Sequence, residues 1–291
     1  MFSIIIPTFN NLEYLQLCLG SLEKNSKFNH EIIIHVNEGT DGTLDYVIKK
    51  KLKHTYSKEN VGLCTATNLA SLKASTDYIL YSHDDMYFCP GWDIALSNEI
   101  NELNTYAYYI SGTMIERTGG HIQIDCGSDQ KNFDENKLLK NFNKREYFNH
   151  QGTHWAPHLI HRSLWEKIGG FSEEFNPGIG SDPDLNMKLW KSGVRIFKGL
   201  SKFRVYHFGS IVLRKKRNFK KNNGTKTFLI KWGFTPTFFV KYYLRGGVFE
   251  KDIIKCKEFD GPLKEPIKDI SYFTNLLICK VKLIYLKIFR F

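Results

Sequence analysis

Short apolar runs alternate with segments of helical period over the first eighty residues. Residues 2–6 (FSIII) are almost wholly apolar and close at Pro7, the pattern of a strand buried on both faces. Leu12, Leu15, Leu19 and Leu22 follow at intervals of three or four, which predicts a helix, and a polar break spans 24–29. Residues 31–36 (EIIIHV) read as a second strand, ended by the turn-rich NEGTDGT. A short helix at 44–51, a short strand at 54–56, a helix over 63–74 and a buried strand at 78–81 (YILY) complete the series. Strands alternating with helices predict βαβ units, right-handed crossovers and a parallel sheet.

Ligands of such sheets bind beyond the carboxyl ends of the strands. The loops at those ends are PTFNN, NEGTDGT and SHDDMYF, and they gather polar, glycine and carboxylate residues. After Asp93 the pattern is less regular. Residues 106–116 read as a strand and its exit, 119–145 are polar with no clear period, and 159–161 are strand-like.

Composition narrows the classes. The chain has 291 residues, 42% hydrophobic and 24% charged, which excludes wholesale disorder and allows a sizeable core. No run of 18 apolar residues argues for a membrane span, and the first ten residues read as a strand rather than a signal peptide. Six scattered cysteines without a C-x-x-C pair argue against a disulfide framework or structural zinc, and for a reducing, cytoplasmic setting. The net charge of +11 is uneven: from Arg214 onward there are 19 Lys+Arg against 6 Asp+Glu, and before it 22 against 24. A nearly neutral body, 1–213, is thus expected to carry a basic extension, 214–291.

His83, Asp84 and Asp85 directly follow the 78–81 strand. Adjacent carboxylates there suit a hard divalent cation, Mn²⁺ or Mg²⁺, or else a solvated turn that caps a helix. They belong to an ordered set: SIIIPTFN (3–10), VNEGTDGT (36–43), ENVGLCTATN (59–68), DYILYSHDD (77–85), IGGFSEEF (168–175) and SDPDLNMKLWKSG (181–193). Over residues 2–210 this set resembles the family 2 glycosyltransferases, inverting enzymes of the GT-A fold that use nucleotide-sugar donors. The resemblance implies an α/β, Rossmann-like, mainly parallel central sheet flanked by helices. It also implies a nucleotide-sugar half (1–100) and an acceptor half (101–213).

Residue by residue, it implies donor contacts from Pro7, Thr8 and Asn10 after the first strand, Glu38 where an Asp is usual, and Asn60, Gly62 and Asn68. At the D-x-D position stand His83, Asp84 and Asp85. Asp85 is the implied metal ligand, Asp84 a ribose or metal-water contact, and His83 a ribose or phosphate contact, a packing residue or, less favoured, a metal ligand. Asp182 takes the place of the general base, and Ser181 replaces the acid before it. Asp184 sits in the same helix turn, on the acceptor side. His207, in RVYHFGS, falls where related enzymes place a second metal ligand. His154 and Trp155 are acceptor candidates, because a sugar face packs well on an aromatic ring; a core tryptophan reads the same way. Trp165 reads as core.

The expected chemistry is a single displacement from a nucleotide sugar, a UDP-sugar first, to a hydroxyl of a glycan or lipid-linked acceptor. A catalytically silent sugar- or nucleotide-binding protein on the same fold is the other reading, kept by His83 and Ser181. The extension, rich in aromatic residues and lysine, suits either the surface of an anionic membrane at its cytoplasmic face or a mainly helical appendage packed on the body. Nothing beyond the 214–221 basic run supports nucleic acid.

Overall fold

The computed structural model describes residues 1–209, 222–250 and 253–288. The basic run 214–221 lies outside the described residues.

Strand β1 (Ser3–Phe9) is buried along all but its last residue, as its apolar run requires. It pairs in parallel with β2 (Glu31–Asn37) on one side and β4 (Tyr78–Tyr81) on the other, and β2 pairs with β3 (Lys53–Ser57). The connecting helices are α1 (Leu12–Asn25), α2 (Thr43–Lys49) and α3 (Leu63–Ser71). In α1 the expected Leu15, Leu19 and Leu22 are buried, joined by Tyr14 and Cys18. All these elements match the hydrophobic pattern to within a few residues.

The second half reverses a strand. β9 (His158–His161) enters antiparallel between β4 and β6 (Tyr108–Glu116). β6 runs parallel to the long β10 (Ile196–His207), and β5 (Met86–Phe88) closes that edge antiparallel to β10. The order is therefore β3-β2-β1-β4-β9-β6-β10-β5, with short β7 (Ile122–Gln123) on β6 and β8 (His150–Gln151) on β10. Helices α4 (Trp92–Glu102), α6 (Arg162–Ile168) and α7 (Ser181–Lys191) pack around it. The stretch that showed no period contains β7 and α5 (Glu135–Asn141), a single helical turn and more, capped by the Asp134 carboxylate accepting from the Lys137 N–H at 2.8 Å.

The extension is mainly helical, with α8 (Gly224–Trp232), α9 (Pro236–Phe239) and α10 (Ile270–Ile288), plus a hairpin of β11 (Val248–Glu250) and β12 (Ile253–Lys255). Pro236 at the first helical position and a Thr235 cap start α9 where the sequence dictates. Phe228 and Phe239 are fully buried, and with Phe234, Phe238, Tyr272 and Cys279 they join the same hydrophobic core as Ile4–Ile6 and Trp92. Each buried phenylalanine contributes about 2 kcal/mol. The extension therefore packs on the body and shares its core. Trp165 is buried, as expected.

Candidate active site

Strands β1, β2 and β4 end at one edge, and there a cavity of about 250 Å³ opens. Pro7, Thr8, Asn60, His83, Asp84 and Asp85 line it from the strand side, and Ser181 and Asp182 from the start of α7. Residues 97 positions apart thus face one space.

On the strand side, the Thr8 hydroxyl donates to Asp84 Oδ2 at 2.7 Å. Burial, and then the charge of Asp85, push the Asp84 carboxyl up from its ordinary value. The Asn60 side chain accepts from the Gly62 N–H at 2.9 Å and shapes the loop into α3. Gly62 has φ +84, and a Cβ there would collide with the Asn176 side chain. Asn176 needs that space. Its Oδ1 accepts from the Cys64 N–H at 3.0 Å, and its amide donates to Thr65 Oγ1 at 2.8 Å, so α3 is capped from a distant segment.

Four expected donor contacts stand elsewhere: Gly62, which shapes the loop without lining the cavity, and three more. Asn10 and Glu38 both take left-handed backbone, φ +45 and +60, and hydrogen-bond to each other at 3.1 Å; neither lines the cavity. Asn68 is occupied on both sides, donating to the Phe171 carbonyl at 2.8 Å and accepting from its N–H at 2.9 Å. It holds the GGF turn and does not line the cavity.

The β5–β10 ladder pairs Met86 with His207, and this register carries His207 beside Asp85. Its Nε2 lies 3.4 Å from Asp85 Oδ1, and His83 Nδ1 lies 3.9 Å from the same oxygen. The other ring nitrogen, Nδ1, hydrogen-bonds Glu116 Oε1 at 2.6 Å. Burial opposes a charge on His207, but Asp85 and Glu116 outweigh it and push its pKa up to about 10. In His83 burial wins and the pKa falls to about 4.

These residues fit a divalent cation. One ligand atom each from His83, Asp85 and His207 lie within 4.8 Å of one another. His207 Nε2 is buried without a hydrogen-bond partner, while Glu116 holds Nδ1, the arrangement that aims a histidine at a metal. A second cluster, His121, His150 and Cys256, is equally close. There the Met114 N–H donates to His121 Nδ1 at 3.0 Å, so the neutral ring carries its proton on Nε2 and offers no lone pair. That cluster reads as a polar corner of the core.

Across the cavity, Gly180 in left-handed backbone starts α7 and puts Asp182 on the rim. Burial alone pushes the Asp182 carboxyl up to about 7. Asp184, two residues on, is fully buried and engaged. It accepts from Ser172 Oγ at 2.6 Å and Trp232 Nε1 at 2.7 Å, and pairs with Lys231 at 3.0 Å. Its expected place on the acceptor side gives way to this anchor between α7 and α8. His154 and Trp155 lie against each other, ring centroids 3.9 Å apart and tilted by 33°, half-buried and away from the cavity lining. His158 is buried among Tyr81, Tyr109 and Phe171, and its pKa falls to about 3 by burial.

Sequence reasoning missed Glu116, Asn37 and Asn176. Asn37 lines the cavity and accepts from the Val61 N–H at 3.0 Å. Glu116 and Asn37 both end strands at the ligand edge, and that position was the available signal. Asn176 carried none.

Residues 3–169 match the glycosyl transferase family 2 profile, over half of the chain, and the chain belongs to that family. Its sheet, flanked by helices, is that of the GT-A glycosyltransferases. Hyaluronan synthase of Pasteurella multocida is 25% identical over 229 residues, 76% of this chain and 22% of the synthase. Chondroitin synthase of Pasteurella multocida (strain Pm70) gives the same figures, so the chain spans only 22% of the length of either relative. Over 91 residues, 31% of this chain and 28% of the relative, it is 33% identical to a dolichyl N-acetyl-alpha-D-glucosaminyl phosphate 3-beta-D-2,3-diacetamido-2,3-dideoxy-beta-D-glucuronosyltransferase of Methanococcus voltae. Among solved structures, S. aureus TarS 1–349 superposes with a TM-score of 0.54 at 19% identity, covering 71% of this chain and 60% of that one. TarS 1–349 in complex with UDP-GlcNAc gives 0.52 at 20%, covering 72% and 60%. That likeness is one of fold.

Proposed function

We propose that the chain transfers a sugar from a UDP-sugar to a hydroxyl of a glycan or lipid-linked acceptor, by a single displacement that inverts the anomeric centre. The observation that carries this reading is the contrast between Asp182 and Asp184. Among the described residues, nothing hydrogen-bonds or pairs with the Asp182 carboxylate, and it stands on the cavity rim with a pKa of about 7. A group so placed accepts a proton near neutral pH from an attacking hydroxyl. Asp184 is already engaged.

The nucleotide occupies the strand side, between Thr8, Asn60 and the Asp84–Asp85 turn. UDP-GlcNAc is the first donor to test, since TarS has been crystallised with it. Asp85, His207 and His83 would hold Mn²⁺ or Mg²⁺, with Glu116 fixing the imidazole. When bound, such a cation offsets the charge that grows on the departing diphosphate. Thr8 keeps Asp84 turned inward, and α7 brings Asp182 to the opposite face of the sugar.

A panel of nucleotide sugars with Mn²⁺, Mg²⁺ or EDTA tests this, following UDP release and thermal stabilisation together. Metal-dependent stabilisation and slow hydrolysis of one donor are expected. No binding and no turnover across the panel would overturn the reading.

A further inference from the structure

Helix α10 has two apolar faces and one partner. Tyr272, Leu276, Cys279, Leu283 and Leu286 recur every three or four residues and pack on the core, with Tyr272 and Cys279 buried. A second stripe, Ile270, Phe273, Leu277, Val281, Ile284 and Ile288, advances at the same pitch on the far side. Its members are 56–87% exposed. A helix apolar on all sides belongs in a buried setting, and a contiguous apolar surface marks a docking site. The stripe is bordered by exposed Lys280 and Lys287 on one side and Lys282 on the other, and α10 contains no Asp or Glu.

We propose that α10 lies flat on an anionic membrane surface, with its outer stripe at the level of the upper acyl chains and its lysines at the headgroups. At 1.5 Å per residue the helix is about 28 Å long. It does not cross: among the described residues no helix is long and apolar enough to do so. Charge selects this occupant over a second copy of the chain, because a symmetric pair of α10 helices would set lysine near lysine with no carboxylate to offset them. A zwitterionic surface offers the lysines no counter-charge, and the stripe alone does not hold the chain there. The extension around α10 adds to the attraction with a further 16 basic residues against 6 acidic ones. The inference stands apart from the glycosyl-transfer reading, since it draws on none of the cavity residues.

The test is flotation of the full chain with vesicles of phosphatidylcholine, with and without phosphatidylglycerol, alongside light scattering of the protein alone. The wild type floats with the anionic vesicles and stays behind with phosphatidylcholine, and added salt weakens the binding. The variant L277E/V281E/I284E changes only outward positions, keeps the wild-type circular dichroism and cooperative melt, and loses flotation. Each of Lys280→Glu and Lys287→Glu weakens partitioning at least roughly fivefold, about 1 kcal/mol per lysine charge near the surface. Equal behaviour on both vesicle types would overturn the proposal, as would a triple variant that floats like wild type. A wild type that does not float and is dimeric, against a monomeric triple variant, would also overturn it and assign the stripe to a second copy. If the triple variant misfolds, the two lysine reversals decide by the same flotation, and unchanged partitioning in both would overturn the proposal.

Discussion

The histidine beside Asp85 is held from behind by a carboxylate. Glu116 accepts from His207 Nδ1 and so leaves Nε2 facing Asp85. Glu116→Gln keeps the shape but weakens that hold, and the Mn²⁺ concentration for half-maximal activity should rise roughly 10- to 100-fold. The donor KM at saturating Mn²⁺ should stay put. Asp182 is the second residue to change. Asp182→Asn should lower kcat roughly 10²- to 10⁴-fold while UDP stabilises the variant as it does the wild type. In the wild type, kcat/KM should fall as pH drops below about 7, because the carboxyl then holds its proton. Stability should follow the opposite sign. The folded protein binds this proton more tightly than the unfolded chain, so the contribution is complete below about pH 4 and lost as pH rises through about 7. Asp182→Asn should therefore melt above the wild type at about pH 8, and the gap should close toward about pH 4.

At the scale of elements, α7 and α8 are joined through a buried carboxylate. Lys231→Met leaves Asp184 with Ser172, Trp232 and the nearby charge of Lys188, and chemical denaturation should show a loss of about 1.5 kcal/mol. This joint was invisible in the sequence, because Lys231 lies 47 positions from Asp184 and lysine is the commonest partner of nothing in particular. The strands and helices of the first half were legible for the opposite reason. Ile4–Ile6, the 31–36 run and Leu15, Leu19 and Leu22 each repeat one environment over several positions. The helix α5 has only Leu138 buried, so it left no period to read. Single polar residues with long-range partners carry no pattern at all: Glu116 reads as a strand end and Asn176 as loop. Asn68 and Asp184 illustrate the converse, since both match motif positions yet serve packing here.

At the scale of the whole molecule, the larger of the two hydrophobic clusters among the described residues does not stop at residue 213. Phe228, Phe234, Phe238 and Phe239 pack into the same cluster as the central sheet. A chain ended after residue 223 should expose that face and aggregate, whereas the full chain stays monodisperse by size-exclusion chromatography. The charge shift at Arg214 marked a change in composition and not a change of core. The reversed strand β9 also matters at this scale. It ends at the edge opposite the cavity, so α6 can return the chain and let α7 begin at the rim. In the proposed reading, parallel strands supply the nucleotide side and a helix start supplies the base.

The cap that Asn176 places on α3 has a consequence for how the protein is made. The N–H groups of Cys64 and Thr65 find their acceptor 112 and 111 residues later in the chain. During synthesis from the amino end, strands β1 to β4 can emerge and pair while the start of α3 is still open to water. The loop from Asn60 to Gly62, whose first residue lines the cavity, is held from the first half by Asn37 alone, and the start of α3 that follows it gains its cap only when Asn176 arrives. The cavity is therefore completed late, when residues 177–182 supply its far wall, and on the proposed reading a nascent chain bearing only its first half should have no competence to trap a sugar nucleotide.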